Sequence, residues 1–366
     1  MNYRTAGETH GQGILALVED FPAGLTIDTE LINAELQRRQ GGYGRNTRQK
    51  IEHDTVEILT GIWRGLSIGS PITLWIKNRD HRIDISPDIS QPRPGHADLA
   101  GSIKYNLPIR PILERASARE TAGRVAAGAL AKQILRQHGV TVVGFVKSIG
   151  AFALPAEDDF PPETLLERRN RSKMYTAFPE KDAELIDMID HIAQSGDSVG
   201  GVIEVRAFGV PIGLGSHVQW RDKLDGKLAQ AMMSIQAIKG VEIGLGFEAA
   251  HTLGSLMHDP IGFEPALETS SCQGFVRKTN NAGGIEGGMS NGQAIVLRAA
   301  MKPIPTLLNP LESIDIATKQ PSLAVYERSD VCAVSAASVV VENVVAWEIA
   351  NELVNGSKAN DAVQCR

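Results

Sequence analysis

The sequence predicts an α+β fold, because strand pairs, helices and further strand pairs follow one another without a regular strand–helix alternation. Apolar, β-branched segments occur in neighbouring pairs early in the chain, at 14–27 and 51–77. An Ala- and Gly-rich helical pattern follows near 121–138, and strand patterns return at 141–148 and 200–210. A regular alternation would instead have indicated a parallel sheet with crossover helices.

The composition is that of an ordinary globular protein, with 366 residues, 42% of them hydrophobic and 22% charged. We predict a single domain over residues 1–366, with a Pro- and charge-rich exposed excursion near 155–175. No uncharged apolar run approaches the roughly 18 residues of a membrane span, and the first residues lack the apolar block of a signal peptide. We therefore expect a cytoplasmic protein without a membrane partner.

Local sequence signals mark the ends of several helices and strands in the first half of the chain. Asp28 or Thr29 caps a helix that should end at Gly41-Gly42, and strands are expected at 51–60 and 70–77. The Asp-, Pro- and Arg-rich stretch 78–113 is predicted to be a long irregular segment.

The second half begins with a capping box, Ser117 to Glu120, which should open a helix that ends at Gly139. The small residues of this helix would let either another backbone or a flat ring approach closely. Further elements are listed here in order: helix 181–194, strand 200–210, helix 223–239, strand 241–247 and a last long helix from 329–330.

Several familiar sequence motifs occur in the chain, but the segments next to them do not have the secondary structure that each motif requires. The G-x-S-x-G patterns at 65–69 and 288–292 are each followed by a strand pattern rather than a helix, which excludes the nucleophile elbow of a serine hydrolase. The segment 244–249 resembles a dinucleotide fingerprint but lacks a surrounding βαβ unit. No ligand pattern predicts a metal, and Cys272, Cys332 and Cys365 form neither a CxxC pair nor a disulfide framework.

Positive charge is concentrated locally in a chain of net charge −6. The segment "RRQGGYGRNTRQK" places five cations without an acid; they are Arg38, Arg39, Arg45, Arg48 and Lys50. Guanidinium forks suit carboxylate and phosphate, so this segment predicts a cradle for a polyanion. The alternative is an RNA-contacting loop, which one aromatic residue and an acidic chain support weakly.

Two histidines lie in glycine-framed loops. His10 occurs in "GETHG", and His96 occurs in "RPGHADLAG", two residues before Asp98. A pre-positioned imidazole suits general acid–base catalysis. For each, the alternative is structural: a turn at His10, and a loop carbonyl bonded to His96.

Three further segments suggest anion or ring binding. Arg115, Arg119 and Arg124 surround a predicted helix start, where backbone N–H groups favour an anion. The glycines of 280–292 could direct backbone donors at a phosphate, or could simply form a hairpin loop. Arg328 and Asp330 lie near the start of the last helix, where Asp330 could be its N-cap. Together these segments indicate an enzyme acting on a small, multiply anionic substrate.

The motifs, taken together, resemble the chorismate synthase family in order and spacing. They are "AGETHG", "RRQGGYGR", "RPGHADLAG", "ERASARETA", "SGDSVGG", "KGVEIGLGF", "NNAGGIEGGMSNG", "KPIPT" and "RSDVC". The resemblance implies a β-α-β sandwich, with helices enclosed between antiparallel sheets, and a homotetramer. It also implies a lyase (EC 4.2.3.5) that removes phosphate and the C6 proton from 5-enolpyruvylshikimate 3-phosphate in an anti-1,4 sense. The product is chorismate, and reduced FMN is required without net redox change.

The same resemblance implies residue roles. His10 would be the acid toward the leaving phosphate, His96 would serve the protonation state of the reduced flavin, and Asp330 would assist proton removal at the flavin N5. The FMN contacts would be Arg115, Ala116, Ser117, Gln236, Ala237, Gly287, Lys302, Pro303, Ile304, Pro305, Thr306 and Arg328. The substrate or NADP contacts would be Arg39, Arg45, Arg48, Arg93 and Arg119.

The family resemblance also bears on partners. An external flavin reductase is expected, with NADPH acting only as an indirect reductant, and no nucleic acid is expected.

The chain departs from the family pattern at Thr9, where serine is frequent, and at Leu107 and Pro108, where an aspartate is frequent. A flavin- or NAD(P)-dependent oxidoreductase acting on another phosphorylated acid is the main alternative function.

Overall fold

The structure is a computed structural model that describes residues 1–45, 53–155, 160–268, 272–327 and 329–364, with side chains described as far as residue 356. The α-helices are α1 (Thr29–Gln40), α2 (Asp98–Tyr105), α3 (Ile109–Ala116), α4 (Thr121–Gln137), α5 (Pro162–Arg171), α6 (Asp182–Gln194), α7 (Leu224–Met233), α8 (Gly254–Met257) and α9 (Val334–Gln364). Within the described ranges, no helix is long and apolar enough to cross a membrane.

The strands occur in consecutive groups between these helices. They are β1 (Asn2–Ala6), β2 (Gly13–Glu19), β3 (Val56–Thr60), β4 (Ile62–Trp63), β5 (Leu66–Ser67), β6 (Ile72–Lys77), β7 (Thr141–Ile149), β8 (Phe152–Ala153), β9 (Gly201–Phe208), β10 (Ile238–Ile243), β11 (Ile261–Phe263), β12 (Phe275–Arg277), β13 (Ile285–Glu286), β14 (Met289–Ser290), β15 (Ile295–Met301), β16 (Glu312–Ile314) and β17 (Pro321–Leu323).

Two antiparallel sheets flank the long helices. The first has the strand order β1-β2-β6-β3, and the second has the order β10-β15-β9-β7-β8. Helix α4 packs on β1, β2 and β6 on one side and on α9 on the other, and α9 packs on β7 and β9. The helices therefore lie between the sheets, and the predicted α+β class is confirmed.

The small residues of α4 serve close helix packing. A Cβ atom at Gly128 would lie 2.4 Å from the main-chain oxygen of Asn343 on α9, so only glycine allows this approach. Of the two readings of this helix, packing against another backbone is the one observed at Gly128. One continuous hydrophobic core joins both sheets through the helices, from Leu74 on β6 to Leu297 on β15.

The predicted boundaries hold where local signals are strong. Asp28 is the N-cap of α1 and its carboxylate accepts a hydrogen bond from the Leu31 N–H at 3.1 Å. The capping box is only half formed: Ser117 Oγ accepts from Arg119 N, whereas the Glu120 carboxylate binds other side chains. The prediction of an irregular 78–113 is wrong, because α2 and α3 fold there.

Over the described part of the predicted exposed excursion near 155–175, the chain packs against the rest of the molecule. Helix α5 packs on β7, with Leu165 and Arg169 buried, and Met174 joins the main core. Residues 156–159 lie outside the described ranges. Part of the charge of this segment lies inside the molecule, because Arg169 reaches a buried carboxylate rather than solvent.

A buried charge network connects the helices at the centre of the molecule. The Glu342 carboxylate on α9 accepts from Arg38 Nη2 at 2.9 Å and from Arg169 Nη1 at 2.7 Å, and it also binds Lys132. Glu35 on α1 shares two of these cations, Arg38 and Lys132. The network thus ties α1, α4, α5 and α9 together.

Candidate active site

A cavity of about 400 Å³ lies where the loops after β1 and β6 meet α3, the turn between α3 and α4, and the segment before α9. Its polar and charged lining residues are Thr9, His10, Arg39, Arg45, Arg82, Arg93, His96, Ser117, Arg119, Gln236, Lys302, Thr306, Glu327, Ser329 and Asp330. Its other lining residues are Gly95, Ala97, Leu113, Ala116, Ala118, Ala237, Met301, Ile304, Pro305 and Ala333. Cations outnumber carboxylates among these described residues, so the cavity favours an anion.

His10 is fixed by a buried carboxylate. Its Nδ1 lies 2.8 Å from Glu114 Oε1, and its backbone N–H donates to Glu114 Oε2 at 2.7 Å. Its Nε2 lies 3.9 Å from Asp80 Oδ2. The loop that carries it is tightly turned, because Gly7 has φ +103° and a Cβ there would lie 2.1 Å from the Gly13 oxygen. The glycines therefore form a turn, and that turn holds an imidazole in the cavity.

Glu114 is ionised in this arrangement. Burial alone would raise the pKa of its carboxyl, but the hydrogen bonds from the His10 ring and backbone outweigh burial and lower this pKa. An ionised carboxylate can only accept hydrogen bonds. His10 Nδ1 therefore carries the hydrogen between the two groups, and Nε2 is the ring nitrogen left for proton exchange.

His96 is backed by a second carboxylate, Asp98, which is fully buried at the start of α2. Its Nδ1 binds Asp98 Oδ1. Arg93 donates from Nε to Asp98 Oδ2 at 2.8 Å and from Nη1 to Thr306 Oγ1 at 3.1 Å. Burial would raise the pKa of Asp98, but hydrogen bonds from His96 and Arg93 lower it well below its usual range. The histidine is thus held by a charged carboxylate, not by a loop carbonyl.

Arg39 and Arg119 share one buried counter-ion, Asp54. Arg39 Nη2 lies 2.6 Å from Asp54 Oδ2, and Arg119 Nη1 lies 2.7 Å from Asp54 Oδ1. Burial would raise the pKa of Asp54, but the two guanidinium charges lower it. Arg119 Nη2 and Arg39 Nε are buried and have no hydrogen-bond partner among the described residues. One carboxylate therefore faces two cations at the cavity wall, and Arg119 Nη2 and Arg39 Nε remain available to donate hydrogen bonds.

Gln236, Lys302 and the Arg45–Asp330 ion pair also line the cavity, and the Nη1–Oδ2 distance of that pair is 2.7 Å. Gln236 Nε2 donates to Glu120 Oε2 at 3.0 Å, whereas its buried Oε1 has no partner among the described residues. Burial and the neighbouring Lys239 lower the pKa of Lys302. The cavity lining therefore includes an acceptor without a described partner as well as cations.

Comparison with known proteins assigns the chain to a family. The family model described as Chorismate synthase matches residues 1–354. The chain belongs to the chorismate synthase family. It is therefore an enzyme, and the predicted lyase assignment is confirmed.

Chorismate synthases from several bacteria are similar over nearly the whole chain. That of Desulforamulus reducens is 52% identical, covering 97% of this chain and 93% of its own length. Those of Geobacter metallireducens and Aquifex aeolicus are 53% and 52% identical, covering 96% and 97% of this chain and 93% and 92% of their own lengths. A solved chorismate synthase crystal structure is 45% identical, with a TM-score of 0.79, covering 97% of this chain and 92% of that chain.

Most site residues predicted from the chorismate synthase resemblance line one cavity. They are His10, Arg39, Arg45, Arg93, His96, Ala116, Ser117, Arg119, Gln236, Ala237, Lys302, Ile304, Pro305, Thr306 and Asp330. Pro303 and Gly287 do not line it; Gly287 lies in the turn between β13 and β14. Arg48 and Arg328 lie outside the described residues.

The basic clusters do not act as units in this chorismate synthase fold. Arg115 is exposed and donates to the Thr5 and Gly7 oxygens, and Arg124 binds Glu120. Arg38 turns away from the cavity toward Glu342, whereas Arg39 and Arg45 of the same cluster line it. The predicted anion site at the start of α4 is therefore reduced to Arg119.

Sequence reasoning missed several residues at the chorismate synthase cavity. Arg82 and Glu327 line it, and Asp54, Asn78 and Glu114 hold lining residues from behind. Glu114 stands in the quoted segment "ERASARETA", but nothing local shows that it meets His10. Among the described residues, no group of three or more His, Cys, Asp or Glu side chains is arranged to hold a metal ion.

Proposed function

We propose that the protein converts 5-enolpyruvylshikimate 3-phosphate to chorismate by an anti-1,4 elimination of phosphate and the C6 proton, with reduced FMN bound beside the substrate. The observation that carries this proposal is the convergence of two carboxylate-backed histidines and several guanidinium groups on one cavity. The substrate has two carboxylates and a phosphate, or about three to four negative charges at neutral pH. Such a ligand matches an excess of cations in an acidic chain.

The residues present fit a flavin. Gln236 Oε1 is a buried acceptor without a partner among the described residues, and it needs an N–H donor such as those on the edge of an isoalloxazine ring. Ala116, Ala237 and Ile304 offer apolar surface to a flat ring. We propose that Ala116, Ser117, Gln236, Ala237, Lys302, Ile304, Pro305 and Thr306 hold FMN. Reduced FMN supplies an electron-rich ring that the reaction requires although it has no net redox change.

His10 is proposed as the acid toward the leaving phosphate. Nδ1 donates its hydrogen bond to ionised Glu114, and in the doubly protonated imidazolium Nε2 carries the proton that passes to a phosphate oxygen, which leaves neutral His10. Buried partners hold the ring and its backbone, so little entropy is lost when the ring is positioned. The contacts of Glu114 with the ring and backbone of His10 support this proposed role, because they hold the imidazole in place.

Two further groups are proposed to handle protons at the flavin side of the cavity. Asp98 fixes the ring of His96, so that His96 can hold or release a proton near the bound cofactor. Asp330, paired with Arg45, is the proposed carboxylate that assists removal of the second proton.

The remaining roles are also proposals. Arg39, Arg45, Arg93 and Arg119 would bind the anionic groups of the substrate, and Arg82 would add a half-exposed cation to the cavity wall. A homotetramer, a cytoplasmic location and an external flavin reductase are proposed from the family alone. In this scheme NADPH acts only through that reductase.

An anaerobic assay tests the proposed function directly. The enzyme, chemically reduced FMN and 5-enolpyruvylshikimate 3-phosphate are mixed, and phosphate release and chorismate absorbance are followed together. The two products should appear in equal amounts without nicotinamide consumption. Stoichiometric hydride transfer from a nicotinamide would instead support the alternative oxidoreductase, and salt-sensitive RNA binding without FMN dependence would support the RNA-contacting alternative.

Replacing Arg119 by lysine is expected to raise the KM for this substrate by roughly 10- to 100-fold, the effect of one charge-assisted hydrogen bond. Lysine cannot keep the fork that binds Asp54 and still direct a free N–H into the cavity. The matched control is Arg136→Lys, an exposed position in the last turn of α4, the helix that begins two residues after Arg119. Steady-state kinetics at fixed reduced FMN measure both, and an Arg119→Lys enzyme with an unchanged KM would contradict the role.

A further inference from the structure

Asn78, the residue immediately after β6, is completely buried beneath the loop that carries the proposed acid. Its Nδ2 lies 3.0, 3.1 and 2.8 Å from the main-chain oxygens of Glu8, Thr9 and Gly11. Its own backbone N–H donates to the Gln12 oxygen at 2.9 Å. The carboxamide therefore holds the main chain on both sides of His10.

The other end of the same carboxamide binds the anion site. Asn78 Oδ1 accepts from Arg119 Nε at 2.9 Å. Asp54 also binds Arg119 Nη1, so the guanidinium plane is fixed at two points. The orientation of Nη2, which has no partner among the described residues, is therefore fixed as well. Asn78 thus links the loop of His10 to the guanidinium of Arg119 through one rigid amide plane.

Only an amide satisfies these contacts. Three carbonyl oxygens face the two N–H donors on one side, so one hydrogen is shared between two of them, and an N–H requires an acceptor on the other side. This arrangement fixes which atom of Asn78 is oxygen. Aspartate has the same shape but, when ionised, has no donor and would place negative charge against three carbonyl oxygens. Burial makes each unsatisfied group costly.

We infer that Asn78 is a positioning residue, which sets the placement of His10 relative to Arg119. This inference rests on the proposed function, because it assumes that these two residues act on one substrate. Asn78 does not line the cavity and does not touch the substrate in this scheme. Its loss should therefore reduce turnover through His10 and substrate affinity through Arg119.

The test is a double-mutant cycle with 5-enolpyruvylshikimate 3-phosphate and chemically reduced FMN. Asn78→Asp should lower kcat by roughly 10- to 100-fold, because a misplacement of about 1 Å can cost this much. In a His10→Ala background the same substitution should change kcat by less than about twofold, since residues that act through one another are not additive. A merely structural role would lower kcat equally in both backgrounds, or not at all.

The matched control is Asn33→Asp on α1, where only the Oδ1 accepts, from the Val56 N–H at 2.9 Å, and aspartate keeps that acceptor. It should retain wild-type kinetics. Asn78→Ser, which keeps one donor, is the second variant and should lose less activity than Asn78→Asp. Equal additive losses in both backgrounds, or failure of both Asn78 variants to fold and bind oxidised FMN, would overturn the inference.

The two possible failures are distinguishable. If the wild-type enzyme releases no phosphate, the proposed function is wrong, and the positioning role is wrong with it. If the wild type is active and Asn78→Asp has wild-type kcat, only the positioning role is overturned.

Discussion

Replacing His10 by alanine is expected to lower kcat by roughly 10²- to 10⁴-fold, the usual contribution of a positioned general acid. Glu114 cannot take its place, because its carboxylate lies on the Nδ1 side of the ring and does not line the cavity. FMN affinity should change little, since the proposed flavin contacts belong to other residues. Anaerobic phosphate release and titration with oxidised FMN measure the two quantities separately.

The matched control for this substitution is His138→Ala. His138 is exposed at the end of α4, so removing its ring tests only the loss of an imidazole from the surface. It should leave kcat and FMN affinity at wild-type values. A His10→Ala enzyme within about tenfold of wild-type kcat would contradict the role as acid. A parallel loss of FMN affinity would instead assign His10 to cofactor binding.

Replacing Glu342 by glutamine should destabilise the protein by about 3–5 kcal/mol, the usual effect of removing one partner from a buried ion pair. Glu342 is 1% exposed and contacts three cations, Arg38, Lys132 and Arg169. The glutamine keeps the volume but leaves Arg38 and Lys132 with Glu35 as their remaining carboxylate, and Arg169 loses its carboxylate partner in the network. Urea unfolding followed by circular dichroism measures the change in free energy.

The control is Glu167→Gln, because Glu167 is an exposed partner of Arg171 at 3.6 Å, one turn along α5. An exposed pair of this kind contributes about 0.5 kcal/mol or less. Equal effects of the two substitutions would show that the buried network does not stabilise the fold as argued.

The stability supplied by Glu342 should depend on pH in a defined direction. Burial alone would raise the pKa of its carboxyl, but the charges of Arg38, Lys132 and Arg169 lower it well below 4.5. The folded pKa is thus below the unfolded one, so the stabilisation is complete above about 4.5 and is lost as the pH falls toward the folded pKa. The difference between wild type and Glu342→Gln should therefore shrink in acid.

Local signals in the sequence were sufficient for the elements whose ends are fixed by neighbouring residues. The cap at Asp28 and the stop at Gly41 define α1, and alternating apolar residues define β6. Helices α2 and α3 were missed because their surroundings are rich in Asp, Pro and Arg. The large apolar residues of α2, such as Ile103, are exposed, and Ile109 on α3 is buried in a small cluster that is completed by the distant Ile316 and Val325.

The site was only partly predictable for a similar reason. Motifs named the residues that line the cavity, but they could not show which neighbours face it. Adjacent helix positions differ by about 100° around the axis, so Arg38 reaches the internal network while Arg39 lines the cavity. Glu114 meets His10 across 104 residues of sequence, a pairing without any local signature.

The long-range contacts of the His10 loop determine when the proposed catalytic group is completed during folding. The loop is held by Asn78, 67 to 70 residues away along the chain, and by Glu114, 104 residues away. Contacts across such separations close large loops and form late. Nascent chains that end before α3 therefore contain the histidine but not the carboxylate that orients it, and the proposed proton donor is completed among the last features of the native state.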